Sequence, residues 1–170
     1  MSLATILKQI EIFFDLSPDH LELIAALCQE RRCQASEIIF EENSPGGELY
    51  VILQGEVEIR VNPSMISPEG ENHGTPATIA TLGRGQSFGE ITLVDQGLRT
   101  ATACAVADPT LLLVISRDRL IGLCDTHPLL GYHLMRNLAA DLALKIRNTD
   151  LRIREQLLYG GKLGSASGTP

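Results

Sequence analysis

A mainly β domain, an antiparallel jelly roll (a double-stranded β-helix barrel) with N-terminal helices and a long C-terminal helix, is the fold class this sequence predicts. Three observations carry it. The apolar period is helical at the start of the chain, changes to two through the middle, and becomes helical again from Arg117. The middle holds many short strand-like runs separated by Gly/Pro turns, the pattern of a sandwich or small barrel. The final helical stretch, from His127-Pro128 to about Tyr159, is far longer than an average helix. Four segments follow: an N-terminal helical segment over 1–30, a β-roll core over 31–116, hinge and lid or dimer helices over 117–159, and a disordered tail over 160–170.

In "LSPDHLELIAALC", Ser17 is a ready N-cap and Pro18 suits the first helical position. Leu21, Ile24, Ala25 and Cys28 then recur at helical spacing. "EIIF", "LYVIL" and "EVEIRV" read as successive strands; in the last, Val57, Ile59 and Val61 alternate with Glu56, Glu58 and Arg60. "EENSPGGE" is a turn cluster, and Gly55 marks a tight reversal. Residues 62–76, with three Pro and two Gly and no periodicity, read as a long mobile hairpin loop. "ATIATLG", "TATACAVA" and "TLLLVIS" complete the strands, the last apolar throughout and therefore buried. "RDRLIGLC" is a short helix. In the long helix that follows, Leu134, Leu138 and Leu142 are placed to cover the barrel. Tyr132, Met135, Ala139, Leu142, Ile146, Thr149, Ile153 and Gln156 form a seam for a second copy.

The charge balance narrows the partners. Fourteen Lys+Arg against 21 Asp+Glu leaves −7, a field that disfavours direct nucleic-acid or anionic-membrane binding but permits one local anion pocket. No apolar run reaches membrane-helix length, and the N-terminus lacks the features of a signal peptide. Cys28, Cys33, Cys104 and Cys124 form no CxxC pair and sit in apolar patterns, as buried free thiols of a reducing, cytoplasmic compartment do.

The chemistry concentrates in "FGEITLVDQGLRTATACA", residues 88–105. Gly89 admits a close backbone approach, and "EITLV" is long enough for one helical turn whose first amides are free for an anion. Arg99 can fork two N–H donors onto one phosphate, and Thr100 and Ala101 leave room for it. Ionised Glu90 only accepts hydrogen bonds, so it suits a hydroxyl. One phosphate and one sugar hydroxyl describe a small nucleotide carrying a single negative charge.

On these residues the chain, over about residues 10–146, resembles the cyclic-nucleotide-binding domain. That domain is shared by bacterial catabolite activator proteins, protein kinase A regulatory subunits and cyclic-nucleotide-gated channels. "FGEITLVDQGLRTATACA" is similar to its phosphate-binding cassette and "SPGGELYVILQGEVEI" to its strand-turn-strand signature. The resemblance implies that Glu90 takes the ribose 2′-hydroxyl and Arg99 the exocyclic phosphate oxygens. Phe88, Gly89, Ile91, Thr92, Thr100 and Ala101 complete the cradle. It also implies that the long helix lies over the base and carries a homodimer contact. By register Lys145 and Ile146 are nearest the purine, or Arg147 and Asn148 if the register slips. The ligand implied is cAMP with some cGMP binding, Thr100 offering a hydroxyl to a guanine amino group or to the phosphate; no metal is implied.

Three positions depart from the family pattern. Thr92 stands where Ala, Gly or Ser is usual, and either crowds the phosphate or adds a donor. Asn43-Ser44 replaces Gly-Asp, at no cost because Asn tolerates left-handed backbone. Leu98 replaces a common Pro and removes some rigidity.

The favoured reading is a regulatory binding module that transmits occupancy through its C-terminal helices, with "RDRLIGLC" as hinge and no identifiable effector. A truncated transcription regulator of the activator type is the alternative, since the chain ends in "GSASGTP" with no helix-turn-helix. A degenerate scaffold is disfavoured because an unused buried pair of Glu90 and Arg99 is costly. A cupin-like enzyme would need converging His ligands, and His20, His73, His127 and His133 lie in helices or the loop with no H-x-H.

Overall fold

Ser17 accepts a hydrogen bond from the His20 N–H at 3.2 Å and caps α2 (Pro18–Ala25), with Pro18 entering the first turn, as the sequence predicts. The computed structural model describes residues 2–62 and 75–160. Before α2 come α1 (Leu3–Leu7) and a 3₁₀ turn (Glu11–Phe13). After it follow β1 (Cys28–Cys33), β2 (Ile38–Phe40), β3 (Glu48–Gln54), β4 (Val57–Val61), β5 (Ala77–Leu82) and β6 (Ser87–Phe88). The chain continues through α3 (Glu90–Asp95), β7 (Thr102–Ala105), β8 (Thr110–Ser116), α4 (Arg117–Thr126) and α5 (Pro128–Gly160). The loop read over 62–76 falls outside the described residues across 63–74, and the tail does so across 161–170.

The strands form two antiparallel sheets of four, ordered β1-β8-β3-β6 and β2-β7-β4-β5. This is the jelly roll the sequence predicts, although its two sheets are not closed into a barrel. β3 and β8 pair from Glu48↔Ser116 to Gln54↔Leu111 and are covered on both faces. Leu49, Val51, Leu113 and Ile115 face the helices, against Phe13, Ile24, Leu120, Leu130, Leu134 and Leu138. Tyr50, Ile52 and Leu112 face the other sheet, against Val57, Ala103 and Ala105. Burial on both faces is why "TLLLVIS" has no polar alternation.

Two strands escape the period-two reading. β1, "CQERRC", lies in the stretch read as helical through Cys28 to about residue 30; the helix instead ends at Ala25. β1 pairs with β8 alone, so it is an edge strand, and charged side chains suit an exposed edge without leaving an apolar stripe. β6 is two residues long, too short for any period.

α5 has two regimes. Leu130, Leu134 and Leu138, one turn apart, are buried, and Leu142 is half-buried. Farther on, Ile146, Leu151, Ile153, Leu157 and Leu158 are exposed. All four cysteines are free; Cys33 and Cys104 are buried and the other two half-buried. Burial pushes the Cys28 thiol up to about 11, so it stays protonated and inert at neutral pH.

Candidate functional site

Arg99 is fixed by its own backbone. Its N–H donates to the Ser44 carbonyl at 2.9 Å, and its carbonyl accepts from the Asn43 N–H at 2.8 Å. Leu98 forms a bridge with Pro45. Asn43 holds left-handed backbone at φ 63°, so the residues that depart from the family pattern form the turn that seats Arg99.

The guanidinium is 2% exposed and lies 4.2 Å from the Phe40 ring centroid and 5.6 Å from that of Tyr50. The ring faces attract its charge in a desolvated setting. Nη1 donates to the Gly89 carbonyl at 3.1 Å and to Thr92 Oγ1 at 2.9 Å. Nη2 donates to the Glu48 carbonyl at 3.0 Å and to Glu48 Oε2 at 3.3 Å. Nε is buried and has no hydrogen-bond partner among the described residues. The fork expected to face a phosphate is thus turned onto protein acceptors, and one of them, the Glu48 carboxylate, is 46% exposed.

Glycine sits where the guanidinium presses closest. Gly89 has φ 83°, and a Cβ there would stand 2.6 Å from Arg99 Nη1. A Cβ on Gly46 would collide with Thr92 Oγ1 and stand 2.8 Å from Arg99 Nε. Thr92 is itself buried and donates to the Gly89 carbonyl at 3.2 Å, so its hydroxyl is a working part of the Arg99 shell.

Glu90 opens α3 and is 5% exposed. Its Oε1 accepts from Lys145 Nζ at 3.0 Å. The same ammonium donates to the Ser87 carbonyl at 2.9 Å and pairs with Asp141 Oδ2 at 2.7 Å. Glu90 and Arg99, read together as a buried charge pair, therefore do not pair: Arg99 takes Glu48 and Glu90 takes Lys145. Lys145, expected by register beside a purine, contacts the Glu90 carboxylate.

Of the other expected residues, Phe88 is buried and stacked on Tyr50 at 5.0 Å between centroids, and Ala101 is buried beside Thr102. Ile91 and Thr100 are exposed at the rim, and Ile146 is exposed on α5 with its side chain outside the cluster. Sequence reading missed Phe40, Gly46, Glu48 and Asp141. A signal for Glu48 was present: at two residues' spacing it shares a strand face with Tyr50, whose β6 partner is Phe88.

A cleft of about 340 Å³ lies between the 3₁₀ turn and α5, sharing Asp141 with the Glu90 end and lined also by Glu11, Phe14, Asn137, Ala140 and Leu144. Its charged residues are acidic, which suits no anion. Among the described residues, no group of three His, Cys, Asp or Glu is arranged around a metal position, and no helix is long and apolar enough to cross a membrane.

Known proteins share the fold of this chain. A family model of the cyclic nucleotide-binding domain matches residues 30–127. The cyclic AMP receptor protein of Thermus thermophilus is 33% identical over 148 residues, covering 86% of this chain and 62% of its own length. A cGMP-dependent protein kinase, isozyme 2, of Drosophila melanogaster is 32% identical over 113 residues, covering 66% of this chain and 11% of its own. A cyclic nucleotide-binding domain from Methylobacillus flagellatus superposes with a TM-score of 0.76 at 28% identity, covering 91% of this chain and 82% of its own. The chain thus spans under two thirds of the length of both sequence relatives.

Proposed function

The chain belongs to the cyclic nucleotide-binding domain family, and from that premise we propose that it is a cyclic-nucleotide sensor. In this reading Arg99 takes the exocyclic phosphate oxygens and Glu90 the ribose 2′-hydroxyl. Phe88, Gly89, Ile91, Thr92, Thr100 and Ala101 form the cradle and its rim. The ligand is cAMP, with cGMP accepted more weakly. The family is regulatory rather than catalytic, and the proposed output is a shift of α4 and α5 between two arrangements that the ligand binds unequally.

One observation carries the reading. Two opposite charges are buried in one cassette, each held by a different partner, and the Arg99 partner is a nearly half-exposed carboxylate. Glu48 Oε2 stands at Nη2 as an anionic oxygen of the ligand would, and it can swing into solvent at small cost when a phosphate arrives. The unpartnered Nε leaves Arg99 one further donor. Titration calorimetry with cAMP, and separately cGMP, on protein refolded to strip carried nucleotide tests this. Saturable binding is expected, tighter for cAMP; no heat and no thermal shift with either nucleotide overturns it.

A second reading has Thr92 on its side. Its hydroxyl stands between Gly46 and Arg99, and a threonine that closed the cradle would leave a dimerising scaffold. Self-association belongs to both readings. The exposed Tyr132, Ile146 and Ile153 on α5 offer an apolar seam to a second copy. A sedimentation mass of one chain at micromolar concentration would remove the dimer.

A further inference from the structure

We propose that Lys145 is a positioning residue for the sugar-binding carboxylate, so that α5 must be docked for the site to tell ribose from deoxyribose. The inference rests on the reading of Glu90 as ribose acceptor and deepens it.

Three oxygens surround the Lys145 ammonium. It donates hydrogen bonds to Ser87 O at 2.9 Å and Glu90 Oε1 at 3.0 Å, and it forms an ion pair with Asp141 Oδ2 at 2.7 Å. Those acceptors come from β6, α3 and α5 itself, so one side chain ties the long helix to the two elements that flank Gly89. Asp141 lies one helical turn before Lys145 and aims the ammonium before any ligand arrives, which reduces the side-chain entropy lost on holding it. On Glu90, Oε1 is engaged, and among the described residues none donates a hydrogen bond to Oε2.

Two roles fit an ammonium on that carboxylate, competitor or support. As a competitor, Lys145 would have to be displaced by the sugar hydroxyl. A hydroxyl is neutral, and exchanging an ammonium for it would leave the buried Glu90 charge uncompensated. As a support, Lys145 holds Glu90 oriented through Oε1 while Oε2 accepts the 2′-hydroxyl. It also cancels the repulsion between Glu90 and a ligand that is itself an anion. The support role wins on both counts. Sugar recognition then depends on a helix outside the β-roll, which links the position of α5 to the identity of the ligand.

The test uses the full chain, with Lys145→Met and Lys145→Arg beside the parent, titrated calorimetrically with cAMP and 2′-deoxy-cAMP. Ligand-free melting confirms that each variant is folded. In the parent the ribose form is expected to bind about tenfold or more tighter, as a hydrogen bond to a charged acceptor gives. In Lys145→Met affinity for cAMP falls and the ratio of the two collapses toward unity; Lys145→Arg restores most of it. Tighter binding of both nucleotides by Lys145→Met overturns the support role in favour of competition. Equal weakening of both, with the parental ratio kept, overturns it in favour of mere helix docking. A parent that binds neither nucleotide overturns the sensor reading itself, a failure distinct from either.

Discussion

The two ends of the candidate site are built on different principles. Arg99 is held by the β-roll and its cassette: the Asn43–Pro45 turn seats its backbone, and the Glu48 and Gly89 carbonyls, Thr92 and two rings surround its head. Glu90 is equally buried, yet its counter-charge comes from α5, beyond the β-roll. The first end is preorganised whatever the helix does; the second is complete only while the helix is docked. A domain so divided can hold a phosphate with one half and report through the other, because only a ligand that engages both halves discriminates between helix positions.

The largest effect should come from Arg99→Ala. Its guanidinium is buried in the cassette, and removing one partner of a buried charged contact costs roughly 2–5 kcal/mol of binding. Titration of cAMP into the variant measures it. A loss below about 1 kcal/mol, within the range of an exposed ion pair, would break the contrast at its stronger end.

Glu90→Gln should cost less, about 1.5–3 kcal/mol, the worth of a hydrogen bond to a charged group. It should also narrow the preference for ribose over deoxyribose, and it leaves Lys145 to Asp141 and Ser87. Paired titrations with cAMP and its 2′-deoxy form read both effects. An unchanged ratio removes Glu90 from sugar recognition and makes its bond to Lys145 purely a helix tether.

Thr92→Ala sharpens the Arg99 end. Its hydroxyl occupies Nη1 at 2.9 Å, a donor that a phosphate oxygen would otherwise take. Removing it should raise cAMP affinity by about 1 kcal/mol, the net worth of one hydrogen bond, and lower ligand-free stability by a similar amount. Weaker binding would show that the Thr92 hydroxyl itself serves the ligand.

Legibility in the sequence divides along the same line as the site. The cassette end could be read because its residues are contiguous: Gly89, Glu90, Thr92 and Arg99 fall within eleven positions, and the α3 turn between them is visible in "EITLV". The strands that could be read, β3, β4 and β8, have one or both faces in the core and show it as period or as continuous apolarity. β1 could not, because an edge strand of Gln, Glu and Arg carries no apolar face. Partners brought together by topology were also hidden. Glu48 reaches Arg99 across 51 positions, and Lys145 reaches Glu90 across 55. Helical register placed Lys145 near the ligand but not on the carboxylate, since the register fixes a helix face and not the depth to which a flexible side chain reaches.

The smallest effect is expected at Glu48, and it bears on how self-contained the Arg99 end is. The Glu48 carboxylate lies 3.3 Å from Nη2 and is nearly half exposed, so its attraction is screened and worth at most about 1 kcal/mol. Glu48→Gln keeps the backbone carbonyl that also binds Nη2 and removes only the competing charge. Phosphate binding should therefore tighten by about 0.5–1 kcal/mol at low salt, with the gain shrinking as ionic strength rises over a Debye length of ~10 Å at 0.1 M. The pair of titrations, parent and variant at two salt concentrations, distinguishes a stand-in for the ligand from a buttress. A stand-in gives tighter, salt-sensitive binding. A buttress gives weaker binding at every salt, and Glu48 would then join Asn43 and Ser44 as part of what aims Arg99.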